Sequence, residues 1–167
     1  MATEIERKYV LAREPDLVAV AAATGGVDTV EIEQRYLDAP PGVERRVRRQ
    51  TTPTGVRHVR TEKRAVAGTS LEREETEADI TATDYADAAR STVGAVIRKR
   101  RHRFTWEGQR FELDQFLEPI DAWLLEIELA DVDSDVRLPP FLPVDREVTD
   151  DPAWRNAAIA SRPAPPR

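Results

Sequence analysis

The sequence predicts an α+β fold: about eight antiparallel strands, closed into a barrel, with a few short peripheral helices. Three observations carry this. Charged residues recur at every second position in run after run, starting with Glu4-Ile5-Glu6-Arg7-Lys8, so they share one face of a strand. The runs are short and separated by hairpin chemistry such as Thr52-Pro53-Thr54-Gly55 and Glu107-Gly108. Finally, 34% of the residues are charged and only 40% hydrophobic, so a sheet with one uniformly oily face runs short of oil. A barrel with a hydrated, charged bore removes that shortage, because its interior need not be packed with aliphatic side chains.

The elements follow in order. EIERKYVL is the first strand. Pro15 suits a first helical turn, the alanines of LVAVAAAT favour helix, and Gly25-Gly26 end it. VEIEQRYLDA (30–39) reads as a strand and Pro40-Pro41-Gly42 as a turn, followed by the hairpin of VERRVRRQ and VRHVRTEKRA. Gly68 opens a turn into LEREETEADI, another alternating run. Thr83 is a candidate cap for a helix through DYADAARSTV that stops at Gly94. AVIRKRRHRFTW, QRFELDQFL, AWLLEIELADV and the short REVT complete the strands, and Asp150-Asp151-Pro152 starts a helix over AWRNAAIAS. With no repeat and no dividing linker, the expectation is a single domain over 1–162 and a Pro-rich extended tail over 163–167.

Composition closes off several function classes. The chain has no cysteine and only two histidines, His58 and His102, which excludes disulfides, thiolate chemistry and a His-rich zinc site. Any metal should be a hard, oxygen-preferring ion. The net charge of −6 argues against general nucleic-acid binding. RKRRHR is the basic run, and its alternation puts Lys99 and Arg101 on one side and Arg98, Arg100 and His102 on the other. No apolar run approaches membrane-spanning length and no signal-peptide layout is present, so a cytoplasmic protein without membrane contact is expected. Neither Ser70 nor Ser91 belongs to a recognisable triad.

The period-two charges define the candidate site. Glu4, Glu6 and Lys8 share a face, as do Arg46 and Arg48, then Arg73, Glu75 and Glu77, then Lys99 and Arg101. Glu112 and Asp114, then Glu126 and Glu128, follow the same rule, and Lys63 lies in HVRTEKR. Any one of these strands reads equally well as a wet outer sheet face, LLEIEL most of all. Together they give comparable numbers of cations and carboxylates for one bore. Clustered Arg and Lys suit phosphate oxygens, while carboxylates without His or Cys suit Mg²⁺ or Mn²⁺. A phosphate chain carrying a divalent metal calls for both sets at once.

The ordered series EIERK, QRYL, RRVRR, TEK, LEREETE, RKRRH, FELD, LLEIEL, EVTDD and WRN resembles the CYTH superfamily, the triphosphate tunnel metalloenzymes, from Glu4 to about Ala160. EIERK matches the family's ExExK signature. The resemblance implies an eight-stranded antiparallel barrel forming a tunnel, a C-terminal helix around Trp154-Arg155-Asn156 plugging one end, and metal-dependent chemistry on triphosphates. By position it implies metal binding by Glu4, Glu6, Asp114, Glu126 and Glu128, with Glu75 and Glu77 in support. It implies phosphate binding by Arg46, Arg48, Lys63, Arg73, Lys99 and Arg101, and a catalytic Lys8 working with Tyr36. Lys8 is left as either a general base or a phosphate clamp. The chain departs from the pattern at Arg35, at Asp145-Arg146 and at Trp154, which bears on loops and plug.

Within the family, hydrolysis of inorganic triphosphate is the expected activity, since the chain is short and shows no recognition element for a base or thiamine ring. Trp106, Trp123, Tyr85 and Tyr9 read as core or rim. A class IV-type adenylate cyclase, a thiamine or nucleoside triphosphatase, a non-catalytic triphosphate-binding module and a purely structural barrel are the alternatives. The expected partner is a triphosphate-bearing small molecule. Pairing into a homodimer is compatible with a barrel of this size.

Overall fold

In a computed structural model of the protein, which describes residues 2–66 and 72–162, each alternating run forms a strand. The side chains of Ala2, Thr3, Glu4 and Glu72 lie outside that description, as do the turn at Gly68 and the Pro-rich tail. The elements are β1 (Ala2–Leu11), α1 (Leu17–Thr24), β2 (Asp28–Leu37), β3 (Val43–Thr52), β4 (Gly55–Ala65), β5 (Glu72–Asp79), α2 (Ala82–Ala89), β6 (Thr92–Trp106), β7 (Gln109–Glu118), β8 (Ala122–Glu128) and β9 (Val144–Glu147). A 3-10 turn (Pro152–Trp154) and α3 (Asn156–Ala160) follow.

Antiparallel neighbours run β5-β4-β3-β2-β6-β7-β8-β1. The start of β1 pairs back onto β5, with Glu4 opposite Arg73 and Ile5 opposite Glu72, so eight strands close into a ring. One edge of β1 carries β8 from Glu6 to Val10, with Glu6 opposite Glu128 and Lys8 opposite Glu126. Its other edge leaves β5 after Ile5 and receives the ninth strand, which pairs Tyr9 with Glu147. That short strand begins two residues before the predicted REVT and ends at Glu147, although Val148 N still bonds Lys8 O of β1.

The helices correct the sequence reading in detail. Asp16 rather than the first turn's Pro15 sets the start of α1: its carboxylate accepts from Val18 N and Ala19 N at 3.0 and 3.1 Å. Thr81, not Thr83, caps α2, because Thr81 and Asp84 form a reciprocal capping box. That helix stops at Ala89, well before Gly94, since β-branched Thr92 and Val93 pair with Leu37 and Tyr36 on β2. Gly94 has a different purpose. It sits at φ +74°, and a Cβ there would lie 2.6 Å from Ala160 O, so its lack of a side chain lets the end of α3 rest on the barrel.

The oil missing from the bore lies mostly outside the ring. Ile5, Tyr9 and Leu11 of β1, Phe104 of β6, Phe111 and Leu113 of β7, and Trp123, Leu125, Ile127 and Leu129 on or just after β8 form one buried cluster, with Val20 of α1 and Leu142 of the segment before β9 among them. A second cluster fills one end of the barrel: Tyr36, Ile97, Phe116 and Leu124 close against Ile159 and Ala160 of α3. The barrel thus has an oily outer flank, an apolar floor and a charged middle.

Candidate active site

The charged middle encloses a cavity of about 270 Å³. Glu6, Lys8, Arg46, Arg48, Lys63, Arg73, Glu75, Glu77, Lys99, Arg101, Glu126 and Glu128, all singled out from the sequence, line it together. Three of the predicted residues stand apart. Glu4 takes its place in β1 opposite Arg73, but its side chain is outside the described part. Tyr36 is buried at the apolar floor and lines the neighbouring mouth rather than the cavity. Asp114 lies behind the wall, fully buried.

Strand order gives the cavity two unlike sides. Glu112, Glu126, Glu128 and Glu6 come from the consecutive strands β7, β8 and β1. Arg46, Arg48, Lys63 and Arg73 come from β3, β4 and β5, of which β5 adjoins β1, and they share those strands with Glu44, Glu75 and Glu77. Lys99 and Arg101 of β6 stand at the border of the acidic side. Although the chain carries a net charge of −6, cations outnumber carboxylates along this lining. The bore concentrates positive potential for an anion inside an acidic protein.

Each cation already has a carboxylate beside it. Arg48 bonds Glu77 at 2.5 Å, Lys63 Nζ is 3.0 Å from Glu75, and Glu44 lies between Arg46 and Arg73 at 3.5 and 3.6 Å. Lys8 Nζ stands 3.2 Å from Glu126 and 3.9 Å from Glu6. Arg101 is shared among Asp114, Glu126 and Glu112, with Asp114 Oδ1 at 2.7 Å and Glu126 Oε2 at 2.9 Å. Lys99 Nζ reaches Asp114 at 2.5 Å, so Asp114 takes bonds from two cations and anchors them from behind.

This crowding shifts the titrating groups. Burial and the charge of Arg46 press Arg48 down to about 10, still cationic at neutral pH. Burial draws Lys99 down to about 8 against the pull of Asp114. For Lys8 burial also lowers the pKa, but the charges of Glu126 and Glu6 outweigh it and the net shift is upward. Glu112 rises through burial, with Glu126 and Asp114 adding repulsion against Arg101.

Polar groups in the wall also lack partners. The Nε atoms of Arg46 and Arg48 and Oε1 of Gln34 are buried without a hydrogen bond. Unmet donors on the basic side are what a bound phosphate would complete.

Several lining residues had not been assigned a role from the sequence. Glu44 shares the period-two face of Arg46 and Arg48, Arg57 that of Lys63, and Arg103 that of Lys99 and Arg101, so alternation could have found them. Glu112 was placed on the face of Asp114 but not assigned to the site, and Gln34 was overlooked inside QRYL. Thr149 and Asp151 carry no periodic signal; they come from the irregular segment beyond β9.

A family model for the CYTH domain matches residues 2–135. The chain belongs to the CYTH family. Among curated proteins, the inorganic triphosphatase of Acetivibrio thermocellus is 36% identical over 69 residues. That match covers 41% of this CYTH chain and only 43% of the relative. The solved structure of the inorganic triphosphatase NE1496 is 31% identical over 99% of both chains, with a TM-score of 0.64. The PH1819 protein of Pyrococcus horikoshii shares the fold at 18% identity, covering 78% of this chain and 80% of its own, with a TM-score of 0.62. The eight-strand ring and the apolar plug of this CYTH domain accord with the fold predicted from its sequence.

Proposed function

We propose that this CYTH protein hydrolyses inorganic triphosphate to pyrophosphate and phosphate inside the barrel, with Mg²⁺ or Mn²⁺. The observation that carries the reading is the bore itself, a closed ring with a cation-rich side and a carboxylate-rich side. The relatives named as inorganic triphosphatases support the choice of substrate.

Arg46, Arg48, Lys63 and Arg73 would take the phosphate chain, the arginines offering planar donor pairs to its oxygens. Substrate must compete with Glu44, Glu75 and Glu77 for these cations, so those carboxylates hold the binding side chains in place while the bore is empty of phosphate. Lys99 and Arg101 add charge from β6, held rigidly by Asp114.

The donors on the acidic side fit a hard divalent cation: they are carboxylates on adjacent strands, with no His or Cys among them. Among the described residues no three acidic or His side chains yet converge on a single point. Glu6, Glu126 and Glu128, with Glu4 from the same face of β1, would hold the ion. Asp114, saturated by Lys99 and Arg101, is better suited to supporting Arg101 than to coordination. The metal would neutralise phosphate charge and polarise the bond that breaks. Lys8 lies between Glu6 and Glu126 and would contact the phosphoryl that is transferred.

The test is direct. Tripolyphosphate with Mg²⁺ or Mn²⁺ should release phosphate, whereas ATP should yield little or no cyclic AMP. Cyclic AMP as the main product would replace the reading with a cyclase, and tight binding without turnover would replace it with a binding module.

A further inference from the structure

We infer that Gln34 is a phosphate-contacting residue of the bore and that Tyr36 acts through it, as the group that positions its amide. Gln34 is only 1% exposed, yet it lines the cavity. One end of its amide lies 2.8 Å from the Tyr36 hydroxyl, with Nε2 as donor, and the other end, Oε1, has no partner. A buried amide with one idle end is costly unless a ligand completes it.

The neighbours say which ligand. Gln34 is the cross-strand partner of Arg48, and Tyr36 that of Arg46. The idle end of the amide therefore opens among two guanidinium groups whose Nε atoms are also unpartnered. With Nε2 donating to the Tyr36 oxygen, the phenol's own proton has no acceptor among the described contacts. A half-turn of the amide resolves this, because its two ends are nearly isosteric. Tyr36 then donates to Oε1, and the NH₂ of Gln34 takes the idle end's place toward the bore. Three donors, Gln34 Nε2, Arg46 Nε and Arg48 Nε, face one space from adjacent strands. They suit the oxygens of one phosphoryl group. Tyr36 itself lines the neighbouring mouth instead of the cavity, so its hydroxyl reaches substrate only by holding the amide.

This rests on the triphosphate reading above, and the experiment separates the two. Tripolyphosphate is titrated calorimetrically, with and without Mg²⁺, into wild type, Gln34→Leu, Tyr36→Phe and the double variant. The side-chain amide resonances of Gln34 are followed in ¹⁵N-labelled wild type, which needs no variant to fold. A hydrogen bond to a charged oxygen predicts that Gln34→Leu weakens binding about tenfold to a hundredfold. Tyr36→Phe should weaken it less, and the double variant no further than Gln34→Leu alone. The amide resonances should move on titration. Unchanged binding in Gln34→Leu, multiplying effects in the double variant, or static amide resonances would each overturn the inference. Wild type that shifts the Gln34 amide but releases no phosphate sustains the inference and removes the hydrolase reading. Phosphate release with that amide static does the reverse, and failure to bind tripolyphosphate overturns both.

Discussion

Replacing Asp114 with Asn removes the negative charge on which the β6 cations depend. The side chains of Asp114 and Lys99 are 0% and 1% exposed, and that of Arg101 is 11% exposed. Asp114 receives bonds from Lys99 at 2.5 Å and from Arg101 at 2.7 and 2.8 Å. Asn preserves the shape and one acceptor but leaves a buried ammonium without a counter-charge. Breaking a buried pair in this way costs roughly 3–5 kcal/mol. Arg101 keeps Glu126 and Glu112, and Lys99, already near 8, can shed its proton, so the low end of that range applies. About 3 kcal/mol in a domain of this size lowers the melting temperature on the order of 10 °C. Urea and thermal unfolding of Asp114→Asn measure this directly. Adding Lys99→Met removes the stranded charge and should recover much of the loss. A single variant within about 0.5 kcal/mol of wild type, or a double variant no more stable than the single, would refute the reasoning. The Mg²⁺ dependence of the folded fraction distinguishes the roles of Asp114: an unchanged requirement is expected of a pivot behind the wall, a lost one of a ligand.

Arg48→Lys keeps a charge but loses the planar donor pair, and should raise KM for tripolyphosphate about tenfold with a smaller change in kcat; an unaltered KM would exclude Arg48 from the substrate. Chelation should abolish phosphate release while leaving the circular dichroism of the barrel intact, and Glu126→Gln should raise the Mg²⁺ needed for half-maximal rate by about tenfold or more; release that survives chelation would rule out the metal. On the outer face, Glu33 sits among Arg35, Arg49 and Arg98 and accepts from Tyr85 at 2.9 Å. Burial works to raise its pKa, but the bonds from Tyr85 and Arg35 prevail and hold it below the ordinary 4.5. Its stabilisation is therefore full above the unfolded pKa and is lost as pH falls through the lower folded value. Urea unfolding should show Glu33→Gln destabilised at neutral pH, with the deficit shrinking below about pH 4.5; a deficit that grows in acid contradicts the assignment.

The barrel was legible because period-two charge is a geometric statement: residues two apart on a strand share a face whatever surrounds them. Glu6 and Lys8, Arg46 and Arg48, and Glu126 and Glu128 reached one cavity for that reason. Depth is not encoded in the same pattern. Asp114 and Glu112 alternate identically, yet one is fully buried against Lys99 and Arg101 and the other lines the bore. Nor does the sequence mark whether the aromatic of QRYL, Tyr36, faces the floor of the barrel or its middle; its place is at the floor. The helix starts at Asp16 and Thr81 were decided by side-chain bonds one or two residues from the positions that composition favours.

The low hydrophobic content, which first suggested a wet interior, takes a more specific meaning from the structure. A barrel with a charged bore cannot be stabilised from inside, so its apolar surface must be buried elsewhere. Here one flank, β1 with β6, β7 and β8, packs its outward side chains under α1 and the segment before β9, while Phe116, Ile97 and Ile159 seal one end. The strands of that stabilised flank, together with β1, bear the carboxylates Glu6, Glu126 and Glu128. The cations of β3, β4 and β5 sit on the side with less apolar cover and are fixed by Glu44, Glu75 and Glu77 instead. Rigidity is therefore divided unevenly: packing supports the strands of the carboxylates, where Glu126 also pairs with Lys8 and Arg101, while ion pairs are the main support of the cations that would meet phosphate. Only the second kind of support can be exchanged for substrate, which is why the phosphate side is the one whose binding should depend most strongly on salt.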